Sequence, residues 1–113
     1  MGCLRDAAQL ERVHGPLAAG GVRIITIGPN SQAAADRMRR VRGLSYPVCG
    51  DPEGRFYQLF GFEKQLAGLL QESGTVAIAR NGTVKYIHRT SNFMIALQLE
   101  AALAALGRPP LAK

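Results

Sequence analysis

The sequence has few of the features that several large classes of protein depend on. It contains no tryptophan and only two cysteines among 113 residues. Two cysteines cannot form a disulfide framework, so free or redox-active thiols are favoured over a structural disulfide. No apolar run reaches the roughly 18 residues that a membrane span needs, and no secretory signal opens the chain. The composition therefore predicts a single domain over residues 1–113, cytoplasmic and without a membrane contact.

Acidic residues are also scarce, with 8 against 14 basic residues and a net charge of +6. The basic cluster Arg37, Arg39, Arg40 and Arg42 lies on one predicted helix and its exit. No aromatic residue alternates with these arginines, so the stacking platform of a single-strand binder is absent. A solvated helix face is favoured over nucleic-acid binding. The two histidines have no second ligand at metal spacing, which argues against a zinc site.

Hydrophobic periodicity divides the chain into alternating helices and strands. The first half contains a helix over 4–13 that is interrupted at 14–16, a strand over 22–27, and a helix over 32–42 capped by Asn30 or Ser31. A covered strand followed by a helix indicates βα units on a mainly parallel sheet. An extended segment over 44–48 follows. Asp51-Pro52 then opens a short helix with an apolar side formed by Phe56, Leu59 and Phe60, ended by Gly61.

The second half is predicted to contain a hairpin and a final helix. Residues 62–73 form a loop with a helical turn around Leu66, Leu69 and Leu70. Strands over 75–79 and 83–88 flank Arg80-Asn81-Gly82, and Asn-Gly favours a tight antiparallel turn. The last helix is predicted to be capped by Ser91 or Asn92, to carry Phe93, Leu97, Ala101 and Leu103, and to stop at Gly107.

Cys3 is the strongest candidate for chemistry because it lies at the start of the first predicted helix. The positive end of the helix dipole favours the thiolate, which is the form that attacks and is oxidised. Arg5 adds a positive charge two positions further on. The alternative is that Cys3 is only a small residue in the first turn. For Cys49, in a predicted loop after Pro47-Val48, a buried structural thiol is favoured over a resolving partner, which would need its Cα within about 7 Å of that of Cys3.

Several local motifs occur in an order that is typical of one family. They are Gly2-Cys3-Leu4-Arg5, residues 21–28, residues 43–48 with Asp51-Pro52-Glu53-Gly54, and residues 74–78 with 81–86. In this order they resemble the peroxiredoxin-like members of the alkyl hydroperoxide reductase/thiol-specific antioxidant (AhpC/TSA) family, which have a thioredoxin fold. The resemblance implies a thiol-dependent antioxidant enzyme that reduces a peroxide or disulfide through Cys3, with Arg5 supporting the thiolate. It also implies a thiol reductant as partner and no metal or organic cofactor.

The sequence departs from the family pattern in three ways. Standard members carry a Thr or Ser three residues before the peroxidatic cysteine and a Pro further back, and here that position would precede Met1. Relatives with a Cys-x-x-Cys pair carry their first cysteine at the same position. Standard members also carry an arginine just before the strand that begins here at Thr75, where this chain has Glu72-Ser73-Gly74. The expected fold is therefore a thioredoxin-like α/β sheet with flanking helices that lacks the N-terminal strands, and the true coding start is expected upstream.

Without a strand ahead of Cys3, the strands over 22–27 and 75–79 would have open edges. They could pair with each other, or two chains could form a homodimer through the exposed sheet edges, because unpaired backbone groups are costly when buried. The sequence thus leaves a second function open. In that alternative the chain is a catalytically silent thioredoxin-fold module that acts in self-association or partner binding.

Overall fold

The computed structural model describes residues 2–62, 64–65, 70–91 and 96–108, with side chains placed for all of these except 2–5, 64–65 and 70–71. The chain divides into two compact units, Met1–Leu59 and Phe60–Lys113. The first unit contains α1 (Gly2–Ala19), β1 (Thr26–Gly28), α2 (Gln32–Arg42), β2 (Val48–Gly50) and α3 (Arg55–Leu59). The second contains β3 (Lys64–Gln65), β4 (Leu70–Gln71), β5 (Ser73–Ile78), β6 (Val84–Thr90) and α4 (Leu99–Ala105).

Helix α1 is longer than the sequence predicted, because it continues through Gly15 and Pro16. A proline inside a helix removes one backbone hydrogen bond and normally ends or kinks the helix. Here the residue after it, Leu17, is buried at 7% exposure, so burial offsets the lost hydrogen bond. The helix ends at Ala19, and Gly21, with a φ of 85°, lets the N–H of Val22 return to the carbonyl of Leu17 at 2.8 Å.

Strands β1 and β2 form the parallel pair that the βα pattern predicted. Thr26 is opposite Val48, and Gly28 is opposite Gly50. The paired part of β1 is shorter than the predicted strand over 22–27. Pro47 explains this difference, since a proline cannot donate to a ladder and is found at strand starts. Its carbonyl accepts the N–H of Thr26 at 3.1 Å, and the ladder begins there.

Helix α2 confirms the predicted bounds and shows which of two capping residues is used. The hydroxyl of Ser31 accepts the backbone N–H of Ala34 at 3.2 Å. Gly43, in the left-handed conformation, ends the helix. The basic last turn contains Arg39, whose Nε donates to the carbonyl of Leu44 at 3.2 Å.

The prediction for α3 was wrong in two respects. The helix begins at Arg55 rather than directly after Asp51, because residues 52–54 form a turn closed by the Gly54 N–H on the Asp51 carbonyl at 3.0 Å. The predicted apolar side does not pack, as Phe56 is 48% exposed and Leu59 is 74% exposed. A helix of five residues is too short to bury a full apolar face.

The second unit confirms the predicted hairpin. Strands β5 and β6 pair antiparallel, with Thr75 opposite His88 and an irregularity between Ala77 and Ile78. The Gly82 N–H donates to the Ala79 carbonyl at 2.9 Å, which gives a turn followed by a glycine of positive φ. This is a three-residue hairpin loop rather than the two-residue Asn-Gly type.

Two other predictions for the second unit are corrected. Lys64–Gln65 pairs antiparallel with Leu70–Gln71, where a loop with a helical turn was expected. Leu66 and Leu69, and likewise Asn92 and Phe93, lie outside the described residues. The last helix begins only at Leu99, with Gln98 at the cap position and Leu97 before it. Its predicted stop at Gly107 is confirmed, and the Arg108 N–H returns to the Leu103 carbonyl at 2.9 Å.

Each unit has its own small core. In the first unit the fully buried residue is Tyr46, surrounded by further buried positions, namely Ala7, Leu10, Leu17, Ala35, Leu44 and Val48. In the second unit α4 packs on β5 and β6, and the buried positions are Ala77, Ala96, Ala102 and Leu103. Thr75 joins the hairpin to the segment before α4, since its hydroxyl donates to the Ala96 carbonyl at 2.7 Å and accepts the Gln98 N–H at 2.9 Å.

Strand pairing among the described residues differs from the mainly parallel sheet that the sequence suggested. It consists of three two-stranded sheets, and only β1 with β2 is parallel. The described helices include none that is both long enough and apolar enough to cross a membrane.

Candidate functional site

Cys3 and Arg5 lie in the first turn of α1, which begins at Gly2, two residues before the predicted helix over 4–13. Their side chains are outside what the structure describes, so the position of the Cys3 thiol relative to other groups stays a prediction. The backbone places Cys3 at the end of an 18-residue helix where free N–H groups converge. The first turn holds no acidic residue, and the first carboxylate of the helix is that of Asp6, three positions after Cys3.

Two contacts further along α1 attach this helix to the segment before β2. The Glu11 carboxylate accepts the N–H and the hydroxyl of Ser45, each at 2.7 Å. The hydrogen bond from the Ser45 backbone is the main reason why the pKa of Glu11 lies below its usual value. One turn earlier, the Tyr46 hydroxyl donates to the Ala7 carbonyl at 3.3 Å. Burial raises the pKa of Tyr46, and the Glu11 charge adds to this effect. These bonds fix the helix that carries Cys3.

Cys49 is the second sequence-predicted thiol, and it lies in β2 rather than in a loop. It is opposite Ile27 of β1, is half-buried, and carries a free thiol. In a parallel ladder the backbone groups of alternate residues point to opposite sides. Because Pro47 and Asp51 bond to β1, Cys49 between them also directs its N–H and carbonyl toward β1, while Val48 and Gly50 direct theirs outward.

The outward groups of β2 are bonded by one side chain, that of Gln32 at the start of α2. Its Nε2 donates to the Val48 carbonyl at 3.2 Å, and its Oε1 accepts the Gly50 N–H at 2.9 Å. The carboxamide therefore bonds β2 as the peptide group of a neighbouring strand would. A further bond from Nε2 to Asp36 at 2.9 Å holds its orientation. The backbone on either side of Cys49 is consequently held at both edges of the strand.

Gly50 allows the backbone at the start of α2 to approach β2 closely. A Cβ at position 50 would collide with the backbone of Asn30 and would come within 2.7 Å of the Gln32 nitrogen. Only glycine fits there, because any side chain would occupy the space in which the two backbone segments approach each other.

The opposite edge of the pair, on β1, is also bonded by a side chain. The Tyr57 hydroxyl of α3 donates to the Ile27 carbonyl at 3.2 Å. Because Thr26 and Gly28 bond to β2, this carbonyl points away from β2. Burial raises the pKa of Tyr57, with a smaller contribution from the Asp51 carboxylate.

Asp51 positions the short helix that carries Tyr57. Its buried carboxylate accepts the backbone N–H groups of Arg55 and Phe56 at 2.9 Å each, and that of Tyr57 at 3.4 Å. The sequence predicted that Asp51 directly precedes the helix, with Pro52 as its first residue. Asp51 instead lies four residues before Arg55, although its carboxylate still accepts the first N–H groups of the helix. The roles of Gln32 and Tyr57 were not predicted. In the sequence, Gln32 looks like any solvated residue in the first turn of a helix. The role of Tyr57 has no sequence signal either, because its partner is a backbone carbonyl 30 residues away.

A βα unit closed by a parallel partner, followed by an antiparallel hairpin with a helix on it, defines a mixed α/β protein. The family model that describes the AhpC/TSA family matches residues 1–87. The chain belongs to the AhpC/TSA family, and with it to the thioredoxin-like fold class and to proteins with thiol-dependent peroxidase or redox function. Comparison with curated proteins and with solved structures gave no match.

Proposed function

We propose that this chain reduces peroxides or disulfides through the thiolate of Cys3. The observation that carries the proposal is that the family match begins in the segment where Cys3 occupies the first turn of α1. The helix N-terminus lowers the pKa of a thiol placed there, and Arg5 is the cation closest in sequence. A peroxide or disulfide is the substrate, and a thiol is the reductant.

The reaction has two steps. In the first, the Cys3 sulfur attacks one oxygen of the peroxide, the O–O bond breaks, and the leaving alkoxide or hydroxide takes up a proton. Cys3 is oxidised to the sulfenic acid, and the peroxide is reduced to an alcohol or to water. In the second step a thiol attacks the sulfenic sulfur, water leaves, and a disulfide forms that further thiol reduces.

An external thiol is favoured over Cys49 as the group that attacks the sulfenic acid. Cys49 pairs with β1, and its two neighbours bond Gln32, so this part of β2 cannot shift without breaking hydrogen bonds on both sides. A disulfide with Cys3 requires the two Cα atoms to be within about 7 Å of each other. Any displacement of Cys49 toward Cys3 would break hydrogen bonds of this ladder. Cys49 as resolving thiol therefore remains the second possibility.

Peroxide consumption with an excess of dithiol tests the role of Cys3. We expect Cys3→Ser to lose the activity and Cys49→Ser to retain it at near the wild-type rate. Equal activity of wild type and Cys3→Ser would disprove the proposal. Thiol titration of Cys49→Ser, which contains Cys3 alone, gives an independent measure, and a Cys3 pKa at or above the free value of about 8.5 would contradict an activated thiolate.

Mass spectrometry after one equivalent of peroxide identifies the attacking thiol. With an external thiol as partner, wild type and Cys49→Ser both give the sulfenic acid, trapped by dimedone, and then a mixed disulfide. With Cys49 as partner, wild type instead loses two hydrogens to an intramolecular disulfide that Cys49→Ser cannot form.

A further inference from the structure

Helix α2 carries a cluster of arginines that the rest of the first unit does not neutralise. This arginine face consists of Arg37, Arg39, Arg40 and Arg42, and all four residues are exposed. Residues 1–59 contain eight arginines, no lysine and only five carboxylates. The described part of the chain gives none of the four arginines an ion pair, so the face keeps its full positive charge.

Four of the five carboxylates in the first unit bond groups outside the arginine face. Asp36, the one acidic residue of α2, accepts a hydrogen bond from Gln32 at 2.9 Å. The other three are Glu11, Asp51 and Glu53. The second unit has six basic and three acidic residues, so its composition does not supply the missing negative charge either. Neutralisation of the face is therefore left to a ligand or to solvent ions.

The arginines are placed so that several of them can reach one ligand. Arg37 and Arg40 lie about half a turn around the helix axis from the buried Ala35, and side chains three residues apart are neighbours on a helix. The Nε of Arg39 donates to the Leu44 carbonyl at 3.2 Å, which orients this side chain and leaves its Nη groups for a ligand. A guanidinium presents its donors in a planar fork that fits the oxygens of a phosphate.

The residues of the face favour a nucleic-acid backbone over a protein or a membrane. A protein interface has an apolar or aromatic centre, whereas the exposed apolar residues of α2 are two alanines and Val41. Insertion into a membrane surface also needs large apolar side chains. Single-strand binding uses aromatic side chains for stacking, and α2 has none. A duplex needs neither, because arginine contacts to its phosphates are sufficient for binding.

We propose that the arginine face binds the phosphate backbone of duplex nucleic acid without reading its sequence. Arg37 and Arg40 contact phosphates directly, Arg39 adds its oriented guanidinium, and Arg42 adds charge at the end of α2. This activity is separate from the thiol chemistry proposed above. Cys3→Ser should therefore bind a duplex as wild type does, and loss of either activity leaves the other intact.

Two double variants separate the arginine face from the net charge of the chain. Arg37→Gln with Arg40→Gln, the face variant, removes two charges from α2. Arg80→Gln with Lys85→Gln, the hairpin variant, removes two charges from exposed positions of the second unit. Glutamine is a good helix former, so α2 should persist, and far-UV circular dichroism checks this. A third variant, Arg37→Lys with Arg40→Lys, keeps the charge and loses the planar fork.

Fluorescence anisotropy with a labelled DNA duplex of about 20 base pairs, over about 50–200 mM salt, measures the dissociation constants. We expect the face variant to weaken binding by about tenfold or more at the lowest salt. It should also reduce the slope of log K against log salt concentration by about 2, since each phosphate contact contributes about 0.9. The hairpin variant should change the dissociation constant by less than about threefold, and the lysine variant should keep the wild-type slope.

Three results would overturn the proposal. Wild type could fail to bind the duplex at the lowest salt, which would leave the arginines as a solvated helix face. Equal weakening by the face and hairpin variants would show that binding follows net charge alone. Tighter binding to the single strand of the same length, or to vesicles of phosphatidylserine and phosphatidylcholine, would assign the face to another partner.

Modification of wild type by phenylglyoxal, which reacts with arginine, decides the question if the face variant does not fold. With duplex bound, mass spectrometry should show Arg37 and Arg40 protected and Arg80 modified as in the free protein. Equal protection at all three positions would contradict the assignment to α2.

Discussion

The side-chain carbonyl of Gln32 accepts the backbone N–H of Gly50 at 2.9 Å, and the two residues lie so close that position 50 admits no Cβ. Helix α2 thus supplies both a hydrogen-bonding group and a tight backbone contact to the last residue of β2. The segment that contains Cys49 is held by a residue 17 positions earlier in the chain, and this relationship is the basis of two predictions.

Gln32→Met should destabilise the chain by roughly 0.5–1.5 kcal/mol, because it keeps the length of the side chain but removes its hydrogen bonds to the Val48 carbonyl and the Gly50 N–H, which are only partly buried. Urea unfolding followed by circular dichroism measures the change. The same substitution at Gln58, an exposed residue of α3 that makes no side-chain hydrogen bond among the described residues, is the matched control and should cost less than about 0.5 kcal/mol. Equal effects at the two positions would show that the bonds of Gln32 are not stabilising.

Gly50→Ala should be more destabilising than Gly28→Ala. The new methyl at 50 meets the backbone of Asn30 and Gln32, which cannot move aside as a side chain could, and overpacking of this kind costs about 1–3 kcal/mol or more. Gly28 is the residue opposite Gly50 in the ladder, and its nearest neighbour would be the Asn30 side chain at 3.9 Å. The difference in urea midpoint between the two variants measures the contact. A Gly28→Ala variant as unstable as Gly50→Ala would contradict the structure here.

Asp51→Ala should shorten or unfold α3 and cost about 1–3 kcal/mol, since three backbone N–H groups lose a buried acceptor. Glu53→Ala is the control, because its ion pair with Arg55 at 3.0 Å is largely exposed and such pairs contribute about 0–1 kcal/mol. Urea unfolding followed by circular dichroism gives the midpoint of each variant. An Asp51→Ala midpoint equal to that of Glu53→Ala would contradict the capping role.

Glu11 should make the stability of the chain depend on acid pH. Hydrogen bonds from Ser45 hold its folded-state pKa below the ordinary value of 4.5. The stabilisation is therefore fully present above the unfolded pKa and is lost as the pH falls through the lower folded pKa. Urea midpoints of wild type and Glu11→Gln should differ at neutral pH and converge below that range. Glu100→Gln removes a carboxylate from α4 and controls for the change in net charge, and a constant difference between wild type and Glu11→Gln at all pH values would refute the assignment.

Local patterns predicted much of this fold because their causes are local. Ser31 caps the start of α2 and Gly43 caps its end, both through contacts within a few residues. The turn around Asn81 and Gly82 follows from the backbone preferences of these residues. The continuation of α1 beyond Pro16 could not be predicted this way, since it depends on the burial of Leu17. The same holds for the start of α4, where Gln98 and Thr75 bond across 23 residues.

In the candidate site, only residues whose type and local position indicate a role could be predicted from the sequence. Cys3 is identifiable from its place near a helix start, and Asp51 as an acidic residue ahead of a short helix, although not at the position predicted for it. The sequence indicates a loop at Cys49 because the strand is three residues long and begins after a proline, which leaves no alternating pattern to detect. Gln32 and Tyr57 donate hydrogen bonds to backbone carbonyls 16 and 30 residues away. Every residue has such a carbonyl, so the sequence does not indicate which one is the partner.

The hydrogen bonds of Gln32 also bear on whether a further strand can join β2. Its carboxamide occupies the Val48 carbonyl and the Gly50 N–H, which face away from β1, so a third strand could pair there only by displacing Gln32. A single side chain at the start of α2 therefore closes this edge of the parallel pair against added strands.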